Sequence, residues 1–196
     1  MKKSAILLTG CAGFIGSNLT YYFLNKKKFV IGLDNLKLGQ IKNLNKSIKA
    51  KNFIFKKIDI SNFNVLKKYI EKISKKYKIE IIWHLAANSD IKDGFKDPDN
   101  DYKNTFLTTY NLIKIAKKNK IKKFVFASSS AIYGDLKNKK LSEDSGPLLP
   151  ISTYGAMKLA SEGIISAAQE SFLKKIYIFR FPNVVGYPST HGVIHD

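Results

Sequence analysis

Residues 9–16 read Thr9-Gly10-Cys11-Ala12-Gly13-Phe14-Ile15-Gly16, a G-x-x-G-x-x-G run. The apolar stretch Ala5 to Leu8 leads into it, and helical spacing from Phe14 to Leu24 leads out of it. A glycine triplet alone is a weak motif. Between a buried strand and a helix it acquires a mechanism: glycine lets the backbone turn sharply and approach a pyrophosphate, while the first N–H groups of the helix point at the anion. Asp34 closes the next apolar run, 21 residues beyond Gly13. A carboxylate at that place accepts from both hydroxyls of an adenosine ribose and repels a 2′-phosphate, so the pattern predicts NAD rather than NADP. Lys37, three residues on, would soften that preference, and Cys11 reads as a small loop residue.

Working outward, further apolar runs follow at Phe29 to Leu33, Phe53 to Phe55, Ile79 to Leu85, Phe124 to Ala127 and Ile176 to Phe179. They are continuous rather than alternating, the pattern of strands buried on both faces. Helical spacing occupies Val65 to Tyr77, Thr105 to Ala116 and Tyr154 to Phe172. This alternation predicts an α/β fold, a doubly wound parallel sheet of the Rossmann type with right-handed crossovers. The polar stretch Leu136 to Pro150, with Gly146 and Pro147, reads as a surface loop. A chain of 196 residues, 44% of them hydrophobic, can build one proper core and is not a disordered tail.

The 34 Lys and Arg against 15 Asp and Glu give a net charge of +19. Almost all of it is lysine, Arg180 being the only arginine, whereas arginine is the preferred group for bidentate phosphate and base contacts. The lysines fall in short clusters along the whole chain, such as Lys26-Lys27-Lys28 and Lys75-Lys76, and read as solvated helix faces. Nucleic acid is therefore not an expected partner. Cys11 has no cysteine to pair with, and no Cys or His spacing matches a zinc site, so no metal is expected. Too few apolar residues follow Met1-Lys2-Lys3-Ser4 for a signal segment or a membrane span, so the expectation is a cytoplasmic protein with no membrane partner.

Tyr154 and Lys158 stand at i, i+4, on one face of a helix. The spacing itself is cheap, since Tyr22/Lys26, Tyr110/Lys114 and Tyr133/Lys137 share it. Only Tyr154/Lys158 opens a long helix rich in small residues, after a serine cluster, Ser128-Ser129-Ser130, at the end of a buried strand. Ligands of doubly wound sheets bind at such strand ends. A tyrosine near pKa ~10 is a poor base at neutral pH, but an adjacent ammonium and a nicotinamide cation favour its phenolate.

Together these residues resemble the extended short-chain dehydrogenase/reductases, in particular their NAD-dependent nucleotide-sugar epimerase/dehydratase group. The resemblance covers essentially the whole chain. Besides the glycine run and Tyr154-Gly155-Ala156-Met157-Lys158, it rests on Leu33-Asp34-Asn35-Leu36, Asp59-Ile60, His84-Leu85-Ala86-Ala87, Ser128-Ser129-Ser130-Ala131-Ile132-Tyr133-Gly134 and Arg180-Phe181-Pro182-Asn183-Val184-Val185-Gly186.

The resemblance implies cofactor contacts from Gly10, Gly13, Phe14, Ile15 and Gly16, from Asp34 and Asn35 to the ribose, and from Asp59 and Ile60 to the adenine. Leu85, Ala86 and Ala87 would run alongside the cofactor, with Asn104 a further contact and the Phe181-Pro182 backbone near the nicotinamide. In this group the catalytic Ser or Thr lies four residues before the Tyr of a Tyr-Gly pair, which selects Ser129. Tyr154 is then the base and Lys158 its partner, both also touching the cofactor, while Ser129, Ser130, Tyr154 and Asn183 meet the substrate.

Dehydratases and decarboxylases of the group typically follow the Ser or Thr with an acidic residue; here Ser130 and Ala131 follow Ser129. The resemblance therefore implies 4-epimerization of a UDP-hexose of the UDP-glucose/UDP-galactose type, through a transient 4-keto sugar. Two other readings remain, a reductase or 4,6-dehydratase of the same group and a non-catalytic NAD-binding fragment. Members of the group carry a further small domain that closes over the sugar. Residues 1–180 are accordingly expected to form the NAD-binding domain and 181–196 the start of an incomplete substrate-binding region. The group also pairs through two helices, which places a homodimer contact on Thr105 to Ala116 and Tyr154 to Phe172.

Overall fold

A computed structural model describes residues 2–89, 91–137 and 140–188. Six strands form one parallel sheet: β1 (Lys3–Thr9), β2 (Val30–Asp34), β3 (Phe53–Lys57), β4 (Tyr77–His84), β5 (Lys123–Ser129) and β6 (Lys175–Phe181), in the order β3-β2-β1-β4-β5-β6. The order reverses between β1 and β4, and at such a switch point a crevice opens beyond the carboxyl ends of the strands. The helices are α1 (Phe14–Asn25), α2 (Phe63–Ile73), α3 (Ile91–Lys96), α4 (Pro98–Asp101), α5 (Leu107–Lys118) and α6 (Thr153–Ser171).

Alternation along the central strands divides the core between the two faces of the sheet. Leu7, Ile31 and Leu33 join one buried cluster with Leu66, Ile70, Leu112 and Ile165. Leu8 and Val30 join another with Ala12, Leu44 and Phe53. All five residues of β2 are buried, as its unbroken apolar run requires.

The structure departs from the sequence pattern in three places. Tyr77 belongs to β4 rather than to the helix before it: α2 stops at Ile73, and the Tyr77 ring stacks on Phe29 with centroids 4.5 Å apart. An apolar aromatic at the start of a central strand gains more from that packing than from extending the helix. β6 is buried on one face only, with Ile176 and Ile178 against the core and Tyr177 and Phe179 exposed. It is an edge strand whose continuous apolar run imitates a central one. Finally, α4 and α5 are one continuous helix interrupted by a π turn at Tyr102–Phe106, a feature to which simple periodicity is blind.

Candidate functional site

The glycine run forms the turn between β1 and α1. Gly10 has φ +72°, and a Cβ there would lie 2.8 Å from the Ala86 backbone nitrogen. At Gly16 a Cβ would fall 1.9 Å from the Gly10 carbonyl oxygen, so any side chain there would wedge the turn open. Helices α2 and α6 are capped by side chains, Asn62 accepting from the Val65 N–H at 3.1 Å and Ser152 from the Gly155 N–H at 3.1 Å. Helix α1 instead starts at Gly13 with no side-chain cap and no acid in its first turn. Its first N–H groups and the positive end of its dipole are left for an anion.

Asp34, at the end of β2, fixes the other side of this turn. Its Oδ2 accepts from the Ala12 N–H at 2.9 Å and its Oδ1 from the Leu36 N–H at 2.8 Å. Burial raises its pKa, and the two backbone donors oppose that shift. A Cβ on Gly39 would come 2.9 Å from either carboxylate oxygen, so the loop after β2 closes tightly over the acid. Lys37 does not approach as a free charge: its Nζ donates to Asn100 Oδ1 at 2.9 Å.

Beneath the turn lies a buried polar bridge that sequence reasoning did not weigh. His84 is fully buried at the end of β4; its Nδ1 is 2.8 Å from Thr9 Oγ1 and its Nε2 3.0 Å from Thr109 Oγ1. The Thr109 hydroxyl donates to the Thr105 carbonyl at 3.0 Å, so it accepts from Nε2–H, and the Thr9 hydroxyl donates to Nδ1. Desolvation, reinforced by the Lys158 charge, holds His84 well below the usual histidine range. It is a neutral strut tying β1 and β4 to α5. The π turn places Asn104 on the cavity wall and turns Thr105 toward β4, where its Oγ1 accepts from the Asn88 N–H at 3.2 Å.

Across the switch point, β5 ends at the serine run. Lys158 is buried, and its Nζ donates to the Ala127 carbonyl at 2.5 Å while lying 5.6 Å from the Tyr154 ring centre. Burial brings its pKa down to about 7, against an upward pull from Glu162. Burial raises the Tyr154 phenol, and a hydrogen bond with Ser129 lowers it. One turn beyond Lys158, Glu162 accepts from Ser128 Oγ at 2.5 Å and from Arg180, whose Nη1 also reaches Tyr133 Oη at 3.1 Å and the Glu143 carbonyl at 2.7 Å. Arg180 thus ties β6 to the serine turn and to the loop before α6. Neither Glu162 nor Arg180 was assigned a role from sequence; their only signals were a carboxylate at i+4 from Lys158 and the single arginine of the chain.

A cavity of about 390 Å³ runs along the carboxyl ends of the strands and joins these parts. Every expected cofactor residue lines it: Gly10, Gly13, Phe14, Ile15, Gly16, Asp34, Asn35, Asp59, Ile60, Leu85, Ala86, Ala87, Asn104, Tyr154 and Lys158. Ser129 and Asn183 line it as well, with Phe181 and Pro182. Ser130 does not; it starts a short 3-10 turn, Ser130–Tyr133, that leads the chain away from the strand end. Gly39, Asn43, Asn88, Asn100 and Thr108 also line the cavity and were not singled out, since none stands in a motif or spacing that marks a site in sequence. Among the described residues, no group of three or more His, Cys, Asp or Glu is arranged to hold a metal ion, and no helix is long and apolar enough to cross a membrane.

This arrangement has known counterparts. The dTDP-D-glucose 4,6-dehydratase of Dictyostelium discoideum is 34% identical over 194 residues, covering 92% of this chain and 44% of that protein. A UDP-glucose 4-epimerase of Halalkalibacterium halodurans is 33% identical over 182 residues, covering 93% and 51%. The structure of the Thermus thermophilus UDP-glucose 4-epimerase in complex with NAD superposes with a TM-score of 0.84 at 30% identity, covering 96% of this chain and 58% of the other. The chain thus spans about half the length of the curated relatives it matches. The family model for NAD dependent epimerases and dehydratases matches residues 6–195, from the first strand through the serine run and the Tyr154 helix; by fold, site and sequence together, the chain belongs to that family.

Proposed function

We propose that this chain is the cofactor-binding and catalytic part of an NAD-dependent nucleotide-sugar 4-epimerase of the UDP-glucose/UDP-galactose type. The observation that carries the reading is that Ser129, Tyr154 and Lys158 line the same cavity as the glycine turn and Asp34. The cavity fits a dinucleotide: the α1 N-terminus lacks a side-chain cap, Gly10 and Gly16 leave no room for a Cβ, and a buried carboxylate stands at the end of β2. Gly13, Phe14, Ile15 and Gly16 would hold the diphosphate, Asp34 and Asn35 the ribose, and Asp59 and Ile60 the adenine.

NAD, when bound, supplies the acceptor and donor of the hydride at the sugar's C4. The chain's own groups handle the proton. Tyr154 takes it from the 4-hydroxyl beside Ser129 and returns it when the ketone is reduced. Burial holds the phenol protonated at rest, so the base has to be produced by local positive charge, and Lys158 is the group placed to provide it. The sugar's diphosphate falls to Asn183 at the rim. The absence of an acid after Ser129 favours epimerization over elimination of water, although dehydratases are among the relatives.

The same reading makes residues 1–180 the NAD-binding domain and 181–196 the entry to a substrate-binding region, of which 189–196 lie outside the described residues. It also makes the protein a cytoplasmic homodimer through α5 and α6. The rings of Tyr102, Phe106 and Tyr110 stack along one stripe, with centroids 6.1 and 6.4 Å apart, and both tyrosines are exposed. Light scattering on the purified chain tests that pairing.

The test of function is to denature the purified chain, look for released NAD, and assay the native protein and its Tyr154→Phe variant with UDP-galactose and UDP-glucose. Bound NAD with epimerization lost about 10²-fold or more in the variant is the expected outcome. A deoxy-keto product would assign a dehydratase, and NAD without turnover a binding fragment. No NAD under any condition would overturn the reading.

A further inference from the structure

We propose that the end of the sheet opposite the cavity docks this protein onto an anionic lipid surface. In sequence the lysines look scattered. The fold gathers them, because six parallel strands all begin at one end. The segments that lead into those strands carry Lys2–Lys3, Lys26–Lys28, Lys51, the lysines of 75–78, those of 117–123, and Lys174–Lys175, sixteen lysines in all. All are exposed except Lys122, whose Nζ donates to the Phe172 carbonyl at 3.1 Å.

The acids lie elsewhere. Among the described residues only Glu71, Glu80 and Glu170 belong to this half of the molecule, and Glu71 is paired with Lys118 at 2.6 Å. The others, including Asp34, Asp59, Asp101, Glu143 and Glu162, stand toward the cavity end. The helix dipole explains lysines in a last turn, such as Lys117 and Lys118. It does not account for Lys2, Lys3, Lys51, Lys78, Lys123 and Lys175, which lie four or more residues from any helix end.

A planar lipid surface fits this face better than nucleic acid does. Six strands spaced ~4.8 Å apart make an end about 24 Å wide, before the helices on either side are added. The cavity described above opens at the other end of the strands. The lone arginine lies toward the other end, so no guanidinium fork is available for phosphates or bases. Aromatic rings at this end already carry an ammonium on one face: Lys3 lies 4.5 Å from the Phe29 centroid, Lys26 5.7 Å from Tyr22, and Lys175 5.4 Å from Tyr177. Bases would find few free stacking platforms. An anionic bilayer needs only many point charges on a broad face, each lysine near it adding roughly fivefold to binding. Docked this way, the end that holds the cavity faces the solvent, where a soluble substrate arrives. The expectation of no membrane partner considered only spanning and targeting segments; this contact is peripheral.

The test is co-sedimentation of the 196-residue chain with vesicles of phosphatidylcholine alone or with about 30 mol% phosphatidylglycerol, at about 50 and 500 mM salt. Binding to the anionic vesicles only, weakened at least tenfold by the higher salt, is expected. Lys26→Glu, Lys27→Glu and Lys28→Glu together should cut it at least tenfold, while Lys68→Glu, Lys137→Glu and Lys140→Glu should leave it within about twofold. Lys75→Gln, Lys76→Gln and Lys78→Gln give a second set should the first not fold, with circular dichroism as the check. Equal binding to neutral vesicles, equal loss in both charge-reversal sets, or no vesicle binding would each overturn the proposal. In that last case, salt-sensitive retention on duplex RNA would assign the face to nucleic acid instead.

Discussion

Arg180 on β6 grips Glu162 on α6: its Nη2 lies 2.9 Å from Oε2, and its Nε 3.2 and 3.3 Å from the two carboxylate oxygens. With Ser128 donating to Oε1, the carboxylate is held one helical turn beyond Lys158, and the pair becomes the electrostatic backing of the Tyr154 site. The guanidinium is pushed above its ordinary value chiefly by its hydrogen bond to Glu162.

Removing one member of that pair should be costly. Glu162→Gln leaves Arg180 without its counter-charge and takes away the upward pull on Lys158, whose pKa should fall below about 7. Loss of about 3 kcal/mol in denaturant unfolding at pH 7 is expected, typical of breaking a largely buried pair. An unchanged midpoint would mean that the pair is effectively solvated.

Two glycine substitutions should move in opposite directions. Gly16→Ala places a carbon 1.9 Å from the Gly10 carbonyl oxygen and should destabilise by about 1–3 kcal/mol while abolishing NAD binding. Gly163 is exposed within α6, and a Cβ there would meet nothing within 4 Å, so its change to alanine should gain about 0.5–1 kcal/mol. Thermal melts of both variants with and without NAD make the comparison.

Asp34 should decide between dinucleotides. Asp34→Ser removes the charge that repels a 2′-phosphate, so the ratio of NADP to NAD dissociation constants should fall at least about tenfold by titration calorimetry. Because the acid also accepts from Ala12 and Leu36, the variant should lose about 1–3 kcal/mol of stability. A ratio that does not change would place the selectivity elsewhere, with Lys37 the next residue to vary.

His84 should set an acid limit on the fold. Its folded-state pKa lies well below the unfolded value near 6.5, so below pH 6.5 the unfolded chain binds a proton that the native state refuses. Stability from this group is therefore present above pH 6.5 and is lost as pH falls, at up to about 1.4 kcal/mol per pH unit. Urea unfolding of the native protein and His84→Gln between pH 5 and 6.5 should differ in slope by about one proton. Lys158 has the same sign in a higher window: lowered to about 7, it makes stability rise with pH from about 7 toward its unfolded value, a slope that Lys158→Met should flatten.

Periodicity and glycine chemistry are local, and what they control could be read directly from the chain. The alternation of apolar runs with helical segments determined a doubly wound parallel sheet. The coincidence of Gly10, Gly13 and Gly16 with Asp34 determined where its first turn would face a dinucleotide. Tyr154 and Lys158 were legible as a pair because a helix fixes their spacing, and their rank above three similar pairs came from the serine run upstream.

Tertiary structure alone decided the rest, because it rests on contacts between residues far apart in the chain. His84 meets Thr9 and Thr109 only once β1, β4 and α5 pack, and Glu162 meets Arg180 only once α6 lies across β6. The edge position of β6 follows from strand order, which its own composition does not encode. The lysine clusters are the same case on a larger scale. Parallel strands bring their beginnings to one end, and sixteen lysines that lie scattered along the sequence meet on one face of the molecule.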